Sequence, residues 1–228
     1  MRVAALYDIH GNLPALEAVL AEADADVILV GGDFVAGPWP AETVERLRGL
    51  DGDVRFIRGN ADREVYEETQ GLAPPELIEF VRDRLSAAEV HFLRSLPLTE
   101  TVDVEGLGRV LFCHATPRSD EEIFTRDSPD EAWADALAEV DADVVVCGHT
   151  HVQFDRRIGG IRLVNAGSVG MPYEDVPGAY WALLGPDVER RRSEYMTGDL
   201  SIWPGEWPEA TADEATEFFE RASREQRA

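Results

Sequence analysis

Five short stretches of this 228-residue chain set a metal-ligating or acid–base residue type just behind an apolar run. They are Asp8-Ile9-His10 after RVAALY, Gly32-Asp33 after DVILVG, Gly59-Asn60-Ala61-Asp62 after DVRFIR, His114 after RVLFC, and His149-Thr150-His151 after VVVCG. Four of the five histidines occupy these places, and His91 is assigned to the outside of a helix. Taken singly, each has an ordinary reading: Asp-x-His can cap a following helix, and Gly-Asp and Gly-Asn are common turn pairs. Taken together, Asp8, His10, Asp33, Asn60, His114, His149 and His151 supply seven nitrogen or oxygen donors and no thiolate, more than one tetrahedral zinc uses. His149 and His151 share a face in extended chain, so they can serve two neighbouring ions or two positions on one. The mixture suits two divalent ions of intermediate hardness, Mn, Fe, Zn or Co, with one carboxylate shared. Such ions carry more charge than two carboxylates cancel, leaving a cationic pocket.

The elements around these residues read as an alternating series. Residues 2–7, 26–33 and 53–60 are expected as strands, and the helix from Leu13 and the helix over 41–50 connect them, which calls for a parallel sheet with right-handed crossovers. Five strand ends therefore converge on the crevice where open α/β sheets bind ligands. Residues 74–96 read as helical, with Ser86 and Glu89 forming a capping box for a second helix. TETVDVE and RVLFCH read as a hairpin, 130–140 as a helix, and the runs beyond Phe154 as mainly antiparallel strands. Gly148 is expected to let the chain bend sharply before the two histidines. A terminal helix is expected to pack Phe218 and Phe219. The division read from this pattern is a domain over 1–198 and a C-terminal extension over 199–228, helical and packed on the same domain.

Composition narrows the partners. Net charge is −24, and all 21 basic residues are arginine, so double-stranded nucleic acid would be repelled at long range. No apolar run approaches the ~20 residues that span a bilayer, so no membrane partner is expected. The N-terminus reads as a first strand rather than a signal peptide, and the expected location is cytoplasmic. Cys113 and Cys147 read as small buried hydrophobes. AGSVG (166–170) lacks the first glycine of the serine-hydrolase elbow and reads as a loop beneath the site. Arg190-Arg191-Arg192 reads as a solvated strand edge.

The order D-x-H, G-D, G-N-x-D, H, G-H-x-H resembles the calcineurin-like metallophosphoesterase superfamily from Asp8 to about Tyr195. DIHGNLPALEAVL, GGDFVAGP, RGNAD, GHTHV and VNAGSVG are most similar to its small bacterial YfcE-like phosphodiesterase branch. The resemblance implies an α/β fold, a four-layer α/β/β/α sandwich with two mixed sheets flanked by helices. It assigns Asp8, His10 and His151 to one metal and Asn60, His114 and His149 to the other, with Asp33 bridging. Manganese is the first metal expected, with Fe, Zn, Co or Ni also compatible. A metal-bridging hydroxide would attack phosphorus in line, between ions roughly 3.5 Å apart. Asn12, Asn60 and Arg118 are expected substrate contacts, and Asp62 is carried as a catalytic candidate that could equally cap the next helix. Many relatives have G-N-H-[DE] where this chain has Gly59-Asn60-Ala61-Asp62, so an imidazole that would protonate the leaving oxygen is replaced by a methyl group. The implied partner is a small phosphate ester, the motifs leaving open a diester, a monoester, a dinucleoside polyphosphate or a phosphoprotein, and a homodimer is compatible with the family. The other reading is a non-catalytic interaction scaffold, which commonly loses metal ligands that this chain keeps.

Overall fold

The computed structural model describes residues 1–67, 71, 73–196, 198 and 211–226. In chain order the elements are β1 (Val3–Leu6), α1 (Leu13–Glu22), β2 (Val27–Val30), α2 (Pro40–Arg48), β3 (Asp53–Phe56), α3 (Asn60–Glu64), α4 (Pro75–Arg82) and α5 (Ala87–Arg94). There follow β4 (Thr99–Val104), β5 (Gly108–Cys113), α6 (Asp130–Ala136), β6 (Val144–Cys147), β7 (Phe154–Ile158), β8 (Ile161–Asn165), β9 (Ala179–Leu184), β10 (Val188–Ser193) and α7 (Ala212–Gln226).

The strands make two five-stranded sheets, ordered β10-β9-β1-β2-β3 and β4-β5-β6-β8-β7. Residue alternation along each strand decides what lies between them. Val3, Ala5 and Tyr7 face inward and meet Phe112, Val144 and Val146 of the other sheet. Ala4 and Leu6 face outward onto Leu16 and Val19 of α1 and Leu47 of α2. In β6, Val145 and Cys147 turn outward with Leu163 to pack under Trp133 of α6. The layers are therefore helix, sheet, sheet, helix, the four-layer sandwich. Both cysteines are free and buried, as small hydrophobes would be. His91 is exposed on α5, and the capping box of α5 is present, with Ser86 N donating to Glu89 Oε2 at 2.7 Å.

Three details depart from the sequence reading. β2 and β3 stop at Val30 and Phe56, so Asp33 and Asn60 lie beyond the strands, Asp33 in the turn that follows β2. Asn60 instead opens α3, because the Asp62 carboxylate accepts the Gly59 N–H at 3.0 Å and starts a helix there. The strands beyond Phe154 are mainly antiparallel as read, β7 with β8 and β9 with both β10 and β1, but β8 departs from that pattern on its other side, where it runs parallel to β6. β10 forms an edge whose Arg190, Arg191 and Arg192 are exposed, which discourages further strand pairing.

Residues 199–210, where the C-terminal extension begins, lie outside the described residues, and Trp203 and Trp207 with them. Ala212 and Ala215 of α7 pack on Val152, with Tyr173 and Phe219 beside them. Phe218 is 53% exposed, so of the two phenylalanines Phe219 is the one that packs on the sandwich. Among the described residues, no helix is long and apolar enough to cross a membrane.

Candidate metal centre

All seven candidate ligands come together at the carboxyl ends of the strands, each no more than 7% exposed. The first sheet sends Asp8 and His10 from β1, Asp33 from β2 and Asn60 from α3. The second sends His114 from β5 and His149 and His151 from β6. The turns that deliver them are costly. Asp8, His10, Asp33, His149 and His151 have φ of 52°, 47°, 51°, 68° and 58°, a left-handed backbone that costs a side-chain-bearing residue about 1–2 kcal/mol. Strain of this kind persists only where surrounding structure enforces it, and it concentrates at working sites. The bend after β6 is thus made by the histidines themselves. Gly148 has another reason to be glycine: a Cβ there would lie 2.4 Å from Asp8 Oδ2.

Backbone carbonyls fix three of the imidazoles. His10 Nδ1 donates to Ala36 O at 3.0 Å, His114 Nδ1 to Gly31 O at 2.9 Å and His151 Nδ1 to Met171 O at 2.6 Å. A carbonyl only accepts, so each Nδ1 carries a proton and Nε2 is the atom turned toward the site, where the neutral ring presents a lone pair. His10 Nε2 and His151 Nε2 then face each other at 3.2 Å. Two lone pairs at that separation repel unless positive charge lies near both.

The oxygen donors are oriented as firmly. Asp8 Oδ2 accepts the His149 N–H at 2.8 Å, and Asp33 Oδ1 accepts the Ala61 N–H at 2.8 Å. Each carboxylate keeps its other oxygen among the rings: Asp8 Oδ1 is 3.3 Å from His151 Nε2, and Asp33 Oδ2 is 3.4 Å from His114 Nε2. Asn60 donates its amide to Glu64 Oε1 at 3.1 Å, which turns the amide oxygen the other way. Glu64 is 2% exposed and also accepts the Ala73 N–H. Sequence reasoning passed over it; an acidic residue four places after a candidate ligand on a helix was the available signal.

Two groups emerge, Asp8 with His10 and His151, and Asp33 with His114 and His149, each with ligand atoms within 4.8 Å of one another. Among the described residues, five buried side-chain polar atoms have no hydrogen-bond partner. Four of them belong to this set: Asp8 Oδ1, Asn60 Oδ1, His114 Nε2 and His149 Nε2. Unsatisfied buried polar atoms are rare, and their concentration here fits divalent cations. The local field agrees. Burial pulls His114 down, but Asp33 and Asp8 outweigh it and lift the imidazole to about 10. The two carboxylates thus bind positive charge strongly. Burial, reinforced by His114, lowers His149 to about 4 and keeps its ring neutral, the state a metal ligand needs.

Other residues singled out from sequence have structural partners. Asp62 is fully buried, pushed up to about 7 by burial and by Asp33. Its oxygens accept from the N–H groups of Asp33, Phe34 and Gly59 at 2.8, 3.1 and 3.0 Å, so it shapes the Asp33 turn and caps α3. Asn12, also fully buried, caps α1 through Ala15 N and donates to Gly170 O and Tyr195 Oη. Arg118 pairs with Glu122 and Asp135 at the surface and is not among the residues lining the cavity over the site. Ser168 of the AGSVG loop donates to Asp8 O at 2.7 Å and accepts from Met171 N, bracing the Asp8 turn from below. The cavity itself measures about 320 Å³, and Ala61 is part of its wall.

The calcineurin-like phosphoesterase superfamily domain matches residues 1–185. An uncharacterized protein of Methanocaldococcus jannaschii is 26% identical over 241 residues, covering 90% of this chain and 96% of its own. Phosphodiesterase YfcE of Escherichia coli is 28% identical over 200 residues, covering 82% of this chain and 89% of its own. The crystal structure of a metallophosphoesterase from Sphaerobacter thermophilus superposes with a TM-score of 0.70 at 29% identity, covering 86% of this chain and 89% of that one.

Proposed function

Because the chain belongs to the calcineurin-like phosphoesterase superfamily, and is on that account a metal-dependent hydrolase of phosphoric esters, we propose that it cleaves a small phosphate ester at a two-metal centre. Asp8, His10 and His151 would hold one ion and Asn60, His114 and His149 the other, with Asp33 as the carboxylate available to both; manganese is the first metal to test. The observation that most supports this reading is the set of four unpartnered buried atoms, all on candidate ligands. Divalent cations bound there supply charge for the phosphoryl oxygens and acidify a water nucleophile.

The chain's own residues prepare that chemistry. The carbonyls of Gly31, Ala36 and Met171 lock the rings in one tautomer, which raises ligand basicity and removes rotational freedom. Glu64 does the same for Asn60. Hydrolysis consumes one water, breaks a P–O bond and releases an alcohol or phenol that must regain a proton. Ala61 stands in the cavity wall where many relatives place an imidazole, so the departing oxygen receives no proton from that position. This favours esters whose leaving groups are weak bases.

The test is metal analysis of protein dialysed against manganese, combined with hydrolysis of bis(p-nitrophenyl) phosphate and p-nitrophenyl phosphate. Two equivalents of metal are expected. Asp33→Asn and His149→Ala should each cost roughly a thousandfold in turnover, the several kcal/mol of transition-state charge stabilisation a metal contributes, while keeping a cooperative melt. No metal uptake, or turnover indifferent to both substitutions, refutes the reading.

A further inference from the structure

We propose that the cavity above this centre is an aryl-binding subsite, in which Tyr173 and Phe219 hold a planar aromatic group of the phosphoester; the proposal rests on the phosphoesterase reading above and names its substrate class. The cavity's volume, about 320 Å³, lies at the small end of small-molecule sites (~300–1,000 Å³) and suits one ring and one phosphate. Among the described residues its polar side chains are almost all spoken for: His10, Asp33, Asn60, His149 and His151 are candidate ligands, and Tyr173 is the one other. The remaining wall is apolar, with Pro74, Leu77 and Ile78 on one side and Met171, Tyr173 and Phe219 on another. Among the described residues no arginine lines it, and the chain has no lysine. Along this described lining a polyphosphate would find no counter-charge beyond the metal centre, and a sugar would find few hydrogen-bonding groups. An apolar ester group remains.

Ring geometry specifies that the group is aromatic. Tyr173 stacks on His151 with centroids 5.0 Å apart and planes 20° from parallel. Phe219 lies 6.1 Å from Tyr173 and 6.5 Å from His149. These separations are those of interacting aromatic pairs, so the wall of rings is continuous with the histidines that would hold the metals. A ring against that wall keeps its ester phosphorus beside the centre.

Phe219 comes from α7, and α7 is tied down beside the site. Glu220 Oε1 accepts from the hydroxyls of Thr125 and Ser128 at 2.5 Å each, and Asp213 pairs with Arg126. Small residues Ala212 and Ala215 let the helix approach Val152 closely. The position of the ring is therefore set by a polar latch and an apolar seat on either side of it.

Calorimetric titration of the manganese-loaded full chain with phenylphosphonate and methylphosphonate tests this, since the two share a phosphorus group and differ by the ring. Phenylphosphonate is expected to bind about tenfold or more tightly, the equivalent of an aromatic contact. In Phe219→Leu and Tyr173→Leu, which keep apolar bulk and hence the seat of α7, that ratio should fall to about threefold or less, with melts confirming folded protein. EDTA should abolish phenylphosphonate binding. Equal affinities in the wild type would overturn the subsite and leave the phosphoesterase reading standing. A ratio unchanged in both variants would overturn the assignment to Tyr173 and Phe219, and binding that survives EDTA would place the ring elsewhere. Failure of both phosphonates to bind the manganese-loaded protein would refute the phosphoesterase centre itself, and the subsite with it.

Discussion

At His149 the φ of 68° means that a substitution removes two things, a donor and part of the strain that holds it. The two effects separate in a pair of variants. His149→Ala and His149→Gly both delete the imidazole and should both be inactive, but alanine keeps the Cβ that makes left-handed backbone costly and glycine does not. In chelator-treated protein, His149→Gly should be about 1 kcal/mol more stable than His149→Ala by urea denaturation. Equal stabilities would mean that the turn costs nothing. Ala61 carries the second residue-scale expectation. With a methyl group facing the cavity, rate should fall steeply as the leaving-group pKa rises across a series of aryl and alkyl esters. Ala61→His should flatten that slope and raise alkyl-ester turnover by about 10²-fold, the lower range of general-acid assistance. A slope already flat in the wild type while chemistry limits the rate would contradict it. The seven candidate donors could be picked out in sequence because they follow apolar runs. Their left-handed backbone could not, since glycine is the residue that announces such turns, and aspartate and histidine, although enriched in them, are far commoner in ordinary backbone.

Among the elements, α3 carries the most function for its size. Five residues are too few to persist alone, yet it presents Asn60, and its hold comes from outside. Asp62 ties it to the Asp33 turn, and Asp120 binds Arg63 Nε at 2.9 Å and Arg58 Nε at 3.1 Å, joining α3 and the chain after β3 to the loop after β5. Asp120 is 5% exposed. Burial alone would raise its carboxyl, but Arg63 and then Arg58 outweigh that and hold it below the usual range. Asp120→Asn should therefore cost about 2 kcal/mol at neutral pH, the range for hydrogen bonds to charged groups. Because the folded pKa is depressed, the contribution is complete above the unfolded value of about 3.9 and disappears as pH falls through the folded one. Denaturation of wild type and variant should show a constant gap from pH 6 to 8 that closes below about pH 4; a gap that widens in acid would refute the assignment. The β-α-β opening, the capping box of α5 and the hairpin of β4 and β5 were legible because local signals and tertiary structure agree there. The approach of Phe219 to His149, across 70 positions of chain, has no local signature, and neither does the return of β9 to β1.

For the whole molecule, the distribution of donors matters more than their number. Asp8, His10, Asp33 and Asn60 are carried on the side of the first sheet, and His114, His149 and His151 on that of the second. Between the sheets the contact is largely aliphatic, Val3, Ala5, Val27 and Leu29 against Val102, Val110, Val144 and Val146, and such packing has no directional bonds to stop one sheet sliding on the other. Tyr7 Oη donating to Val146 O at 3.0 Å is one fixed point. Ions shared by the two donor groups would be another, placed at the end where five strand termini meet and where the strained turns need to be held. Metal binding should then act as a staple between sheets as well as a source of chemistry. A metal present at a thousandfold over its Kd contributes about 4 kcal/mol to folding, and for a chain of this size each kcal/mol moves Tm by roughly 2–4 °C. Manganese-loaded protein should accordingly melt roughly 8–16 °C above protein treated with EDTA. The same comparison in an Asp33→Asn, His149→Ala double variant should show little shift, because the group that joins β2 to β6 is gone. An EDTA effect of equal size in that variant would mean that the metal stabilises the fold from somewhere else, and that the register of the sandwich rests on packing and on hydrogen bonds between the sheets such as Tyr7 Oη to Val146 O and His114 Nδ1 to Gly31 O.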